Sequence, residues 1–170
     1  MAASPISQAP FDSPIGRLWV AVSPRGLVGV LRGEDPDAHD RVLDADAVAP
    51  ALAELEAYFA GRLRTFSIPL DLGAAGPFDR AAWVAAREIP YGETVSYGEL
   101  AAMAGHPRAA RAAGNAMARC PFFPVVPCHR VIHADGSIGG WGADTWVKRW
   151  LLDLERGLAA GLASADGNQG

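Results

Sequence analysis

The stretch Gly73-Ala74-Ala75-Gly76-Pro77 limits this chain more than any other. Five residues with almost no side chain, ending in a proline, cannot run through the middle of a helix or a strand, so the polypeptide is expected to break there into two domains. Before the break the texture is β. Arg17 to Val22 and Leu27 to Leu31 predict a hairpin across the turn residues Ser23-Pro24-Arg25-Gly26. An acidic loop, Gly33 to Asp46, carries Asp35 and Asp37 as solvated carboxylates. Ala47 to Ala60 predicts a helix with the stripe Leu52, Leu55, Phe59, closed by Gly61. The alternation of Phe66, Ile68, Leu70 and Leu72 predicts a strand, and Pro69 within it an edge strand. Residues 1–76 thus read as a small N-terminal α/β domain with no chemistry of its own.

After the break the texture is helical. Phe78 to Glu88 predicts a helix stopped by Ile89-Pro90, and Tyr91-Gly92-Glu93-Thr94 a turn. Ser96 with Glu99 three residues on is a capping box for a helix over Tyr97 to Ala104. Gly105-His106-Pro107 ends it, and Arg108 to Arg119 starts the next, which makes a helix-turn-helix. That second helix has so little bulk, from Ala109 through Ala118, that it can approach another surface closely. Tight packing inside the domain explains the same pattern equally well. Residues 77–158 are expected to form the second domain and 159–170, rich in Ala, Gly and Ser, a disordered tail.

Composition narrows the classes. Half the residues are apolar and a fifth charged, enough for a real core, and no apolar run approaches the ~20 residues that span a bilayer. The start Met1-Ala2-Ala3-Ser4-Pro5 has no signal-peptide character, and two cysteines, Cys120 and Cys128, make no disulfide framework. A reducing, cytoplasmic setting is expected, with no metal and no cofactor; His39, His106 and His133 are expected at the surface. The net charge of −4 is uneven. Six arginines face ten carboxylates through Gly76, while Leu100 to Ala134 carries Arg108, Arg111, Arg119 and Arg130 without an acid. Local positive charge, not the total, is what a phosphate backbone meets.

The chemistry points to Val125-Val126-Pro127-Cys128-His129-Arg130-Val131-Ile132, an apolar run that delivers a cysteine and a histidine side by side. A thiol with an ordinary pKa of about 8.5 is only slightly ionised at neutral pH and becomes a useful nucleophile beside a base. The dipeptide by itself does not separate a nucleophile from a buried structural thiol.

Several segments together do. Pro90 to Tyr97, Ala110 to Met117, Pro127 to Ile132, Gly136 to Gly140 and Lys148 to Glu155, in that order and spacing, resemble the O6-alkylguanine-DNA alkyltransferases. Asp12-Ser13-Pro14-Ile15-Gly16 opens an N-terminal part that is also similar to that family. The resemblance implies an α+β protein in which a ribonuclease H-like α/β domain precedes a mainly helical, winged helix-turn-helix-like domain. It implies irreversible transfer of an alkyl group from O6-alkylguanine in duplex DNA to Cys128, once per molecule, by a monomer.

It also assigns roles. His129 and Glu155 activate Cys128, through a water between thiol and imidazole, and Tyr97 protonates the base. Arg111 takes the place of a rotated nucleotide, Ala110, Ala112 and Gly114 line the minor groove, and Tyr97 and Arg130 join the DNA contacts. Met117, Phe123 and the loop Ile138, Gly139, Gly140, Trp141, Gly142, Ala143 frame the guanine. Three positions depart from the family: Cys120 stands before Pro121 where an asparagine usually braces the active-site loop, Trp141 where a tyrosine is common, and Phe123 where a smaller residue is frequent. These predict an unreactive Cys120, a loop held by other contacts, and poor reaction with free O6-benzylguanine. The other reading is a non-catalytic protein that binds alkylated DNA and recruits repair factors, as relatives with tryptophan in place of the cysteine do. A cysteine hydrolase lacks support, since no oxyanion-type glycine motif is present.

Overall fold

Strands β1 (Ser7–Ser13), β2 (Gly16–Ser23) and β3 (Gly26–Arg32) form an antiparallel meander, and β4 (Val42–Leu43) adds to β1 in parallel, giving the order β3-β2-β1-β4. The computed structural model describes residues 5–34, 41–73, 75–139, 141 and 144–158. Two compact units divide after Gly73. The hairpin predicted over Arg17 to Leu31 is β2 and β3. Strand β1 was not predicted, because Pro10 and the polar Ser7, Gln8 and Asp12 hide its period; its neighbour β2 supplies the alternation that it lacks.

Helix α1 (Ala45–Phe59) starts two residues before its predicted Ala47, because Asp44 caps it by accepting from the Ala47 N–H at 3.1 Å. It buries Val48, Ala51, Leu55, Tyr58 and Phe59, while Leu52 is only half-buried. Tyr58 and Phe59 pack at 5.4 Å between ring centres, and fully buried side chains of this size contribute roughly 1.5–3 kcal/mol each. The edge strand predicted over Phe66 to Leu72 does not form. Only Leu70 bridges to Leu27, flanked by bonds from the Leu27 N–H to the Pro69 carbonyl and from the Asp71 N–H to the Leu27 carbonyl, both 2.8 Å. Gly26 permits this approach, since a Cβ there would lie 2.4 Å from the Pro69 oxygen. Asp35, Asp37 and His39, and the tail from 159, lie outside the described residues.

The second unit is built on α2 (Pro77–Ala86), α3 (Tyr97–Met103), α4 (Ala110–Arg119) and α5 (Thr145–Glu155). Pro77 opens α2 at its first position, and the capping box of Ser96 and Glu99 closes in both directions at the start of α3. Helix α4 begins at Ala110 rather than at the predicted Arg108, the intervening residues completing the turn from His106. Trp83 ties α2 to α4: its indole N–H donates to the Ala116 carbonyl at 2.9 Å, and its ring meets Phe122 edge-on. A parallel pair, β5 (Val95–Ser96) and β6 (Val131–Ile132), joins the segment ahead of α3 to the segment behind Cys128. This pairing brings Tyr97 to the cysteine across more than thirty residues of chain.

Candidate active site

The apolar run ahead of Cys128 is interior, with Val125 and Val126 both buried, and the chain then tightens into a single 3-10 turn, Cys128–Arg130. With three residues per turn, Cys128, His129 and Arg130 diverge by about 120°. All three are buried: Cys128 is 3% exposed, His129 0% and Arg130 5%.

The carboxylate of Glu155, on α5, gathers what the turn spreads apart. His129 Nε2 lies 2.5 Å from Glu155 Oε2. Arg130 donates Nε to Oε1 at 2.7 Å and Nη2 to Oε2 at 2.9 Å, and its Nη1 donates to the Ile89 carbonyl at 2.7 Å. The Gly92 N–H donates to Oε1 at 3.2 Å, so the turn at Tyr91-Gly92 is held by the same group. Burial alone would raise the Glu155 carboxyl, but the bonds and charges of His129 and Arg130 outweigh it and hold it well below the usual range. Burial lowers His129 against the pull of Glu155, with Arg130 and Lys148 pushing the same way as burial. The resting pair is therefore a carboxylate and a neutral imidazole, which donates Nε2–H to Glu155 and leaves Nδ1 as the basic nitrogen.

Tyr97, the first residue of α3, lies across α4 at Gly114, where a Cβ would meet its ring at 3.6 Å. Burial, and then the charge of Cys128, raises its phenol above the ordinary value, so the proton stays on at neutral pH. Its ring packs at 5.2 Å on His133, and the two line a cavity of about 610 Å3 with Gly98, Ala110, Arg111 and Gly114. Arg111 and Ala110 are exposed on α4, Ala112 and Gly114 half-buried beside them, and Met117 sits on the buried face of the same helix. In the pocket loop, Gly139 has φ +72°, and a Cβ there would lie 2.9 Å from the Tyr97 hydroxyl oxygen. Trp141 meets Phe123 edge-on at 5.8 Å, and Ile138 is half-buried. Gly140, Gly142 and Ala143 lie outside the described residues.

Cys120, at the end of α4, reaches the active-site turn: burial first, then a hydrogen bond with Cys128, raises its thiol well above the ordinary value. It remains a protonated donor next to the sulfur of Cys128. Arg130 corrects an expectation, for its buried guanidinium is taken up by Glu155 and the Ile89 carbonyl and cannot serve as a DNA contact. The residue that sequence reasoning passed over is Lys148. Fully buried on α5, it lies seven residues before Glu155 and so on the same helix face, a spacing that was legible in the chain.

A model of the 6-O-methylguanine DNA methyltransferase DNA binding domain matches residues 77–157, and a model of the ribonuclease-like domain of the same proteins matches residues 7–72. The chain belongs to this methyltransferase family. A methylated-DNA--protein-cysteine methyltransferase of Methanosarcina acetivorans is 42% identical over 85% of this chain and 95% of its own length. A Thermus thermophilus protein named DNA base-flipping protein is also 42% identical, over 86% of this chain and 97% of its own. Among solved structures, Mycobacterium tuberculosis OGT in complex with DNA superimposes with a TM-score of 0.80 at 42% identity, covering 91% of this chain and 94% of that one. As a family member the chain has DNA as its partner, and the small-residue helix that carries Arg111 lies within the matched DNA binding domain.

Proposed function

We propose that this methyltransferase-family protein repairs DNA by direct reversal, taking the alkyl group of an O6-alkylguanine onto Cys128 in one irreversible step. The observation that carries the reading is the contact of 2.5 Å between His129 and Glu155, in the turn that also holds the thiol. A carboxylate kept ionised beside a neutral histidine orients the ring and stabilises the charge that the ring acquires on taking the thiol proton, through a water.

The oxygen under attack is buried in a base pair, so the nucleotide must leave the stack at a cost of a few kcal/mol. Arg111, exposed on a helix of small residues, takes the vacated place, and its planar guanidinium stacks and donates hydrogen bonds at once. Ala110, Ala112 and Gly114 let that helix approach the minor groove, which reads little sequence and suits a search for lesions in any context. Tyr97 stands between this surface and Cys128, where it crowds the phosphate and gives its proton to the departing guanine. Among the described residues no group is placed to reopen a thioether, and each molecule reacts once, as a monomer.

The test is a duplex with a labelled methyl group on O6 of guanine. One equivalent of label on the peptide containing Cys128, and none after Cys128→Ala, is the expected result. Retention of the duplex without transfer would make the protein a lesion binder, and multiple turnovers a hydrolase.

A further inference from the structure

Glu155 withdraws Arg130 from the surface, but His133, three residues further along the chain, is exposed. Its ring is nevertheless held in place. It packs on Tyr97 at 5.2 Å with the planes inclined by 58°, and a Cβ on Gly139 would come within 3.2 Å of its Nε2. The backbone is tied as well: the His133 N–H donates to the Ser137 carbonyl at 2.9 Å, and the Gly136 N–H donates to the His133 carbonyl at 3.0 Å. The imidazole itself makes no hydrogen bond among the described residues. A ring fixed at the surface with its polar atoms unused meets an outside partner with little ordering left to be done.

The surroundings say what charge that partner carries. His133 lines the cavity of about 610 Å3 together with Tyr97 and Arg111, the other walls being small residues, and no Asp or Glu lines it among the described residues. Arg111 too has no hydrogen bond or ion pair there, unlike Arg119, which Asp79 holds, and Arg130. The charged and titratable groups that face His133 are Asp135 in its own loop, Glu99 and Tyr97 from α3, Arg111 from α4 and, behind Tyr97, Lys148 from α5. Both acids already accept other donors, Asp135 from the Ser137 N–H and hydroxyl and Glu99 from the Ser96 N–H. The cavity is therefore a place for an anion.

We propose that His133 is a DNA-binding residue whose protonated ring donates to the backbone phosphate that Tyr97 crowds, while Arg111 enters the stack from another wall of the same cavity. The proposal rests on the DNA contacts read above for Tyr97 and Arg111 and needs no transfer to Cys128. An imidazolium has donors on both nitrogens and no acceptor, which suits a phosphate oxygen, and a bond between two charged groups is roughly twice as strong as a neutral one. Histidine changes its charge between pH 5 and 8, so the grip on DNA should tighten on acidification. The arginines stay charged throughout that range.

Binding of an unmodified duplex, titrated at several salt concentrations at about pH 6 and about pH 7.5, tests this in the wild type, His133→Gln, His133→Arg and His106→Gln. The upper pH stops short of the titration of Lys148, which burial lowers to about 8. In the wild type the slope of log affinity against log salt should be steeper at the lower pH by roughly 0.5 to 0.9, the share of one phosphate contact. His133→Gln should show the shallower slope at both pH values. His133→Arg should show the steeper slope at both, and it decides the matter if the glutamine variant folds poorly. His106 is the other exposed histidine described in this unit, and His106→Gln should keep the wild-type difference. A wild-type slope that does not change with pH, a difference that survives in His133→Gln, or one that disappears in His106→Gln overturns the proposal. A wild type that binds with the expected slopes but takes no label from a methylated duplex supports this contact and overturns the function proposed above.

Discussion

Arg130 and Glu155 meet side by side in the interior of the second unit, through two bonds of 2.7 and 2.9 Å, although they stand 25 residues apart. The pair explains why the carboxylate that orients His129 can stay ionised in a dry place. It also explains why a motif ending in Cys-His-Arg needs its arginine: the residue that looked like a DNA contact is the counter-charge of the active site.

Glu155→Gln keeps the shape but leaves the Arg130 cation uncompensated. A loss of about 3–5 kcal/mol in unfolding free energy is expected, with a lower melting temperature. The double variant with Arg130→Met should lose less than the two single losses added together. Denaturant unfolding of the four proteins measures this, and simple additivity would contradict a coupled pair.

Arg111→Ala should reduce the salt dependence of duplex binding by about one counter-ion, while Arg130→Met should leave that slope as it is in the wild type. Binding titrations at several salt concentrations separate the two arginines. A reduced slope in the Arg130 variant would return that residue to the DNA surface.

Stability should fall on acidification in two stages. The folded state holds His129 neutral below its ordinary 6.5, so the unfolded chain binds the extra proton and stability drops as pH falls from there. Glu155, held ionised in the fold far below its ordinary 4.5, adds a second loss beneath that value. Melting temperature against pH shows both stages, and His129→Asn should remove the upper one.

Phe123 and Trp141 meet edge-on at 5.8 Å; with these two rings as walls of the guanine pocket, free O6-benzylguanine should react much more slowly than methylated duplex. Phe123→Ala should recover benzylguanine reactivity by about tenfold, the scale of a modest pocket change. Equal rate constants for the two substrates in the wild type would contradict a crowded pocket.

Cys120 should take no label under native conditions. Burial and its bond with Cys128 keep it protonated, and a thiol is a poor nucleophile in that form. Peptide mass spectrometry after reaction checks it. Cys120→Ala should slow transfer at Cys128, because the neighbouring sulfur loses a donor.

The second unit was the more legible half of the chain. Ser96 and Glu99 mark a helix start by chemistry that acts over one turn, and Gly105 through Pro107 an end, so local sequence suffices there. The strand predicted over Phe66 to Leu72 failed because alternation reports a half-buried face and not a ladder, and Pro69 leaves little to pair. The site residues could be named from their motifs, but not their partners. Nothing near Arg130 in sequence says whether its guanidinium faces a phosphate or Glu155, since that depends on where α5 returns. Lys148 was hidden for the same reason: a lysine on a helix reads as solvated until packing places it under Tyr97.

The ion network is completed by α5, which follows the reactive turn in the chain. During synthesis the thiol and its histidine leave the ribosome before the acid that directs them. Under the proposed function, a molecule able to act a single time would stay inert until its last described helix folds onto the turn.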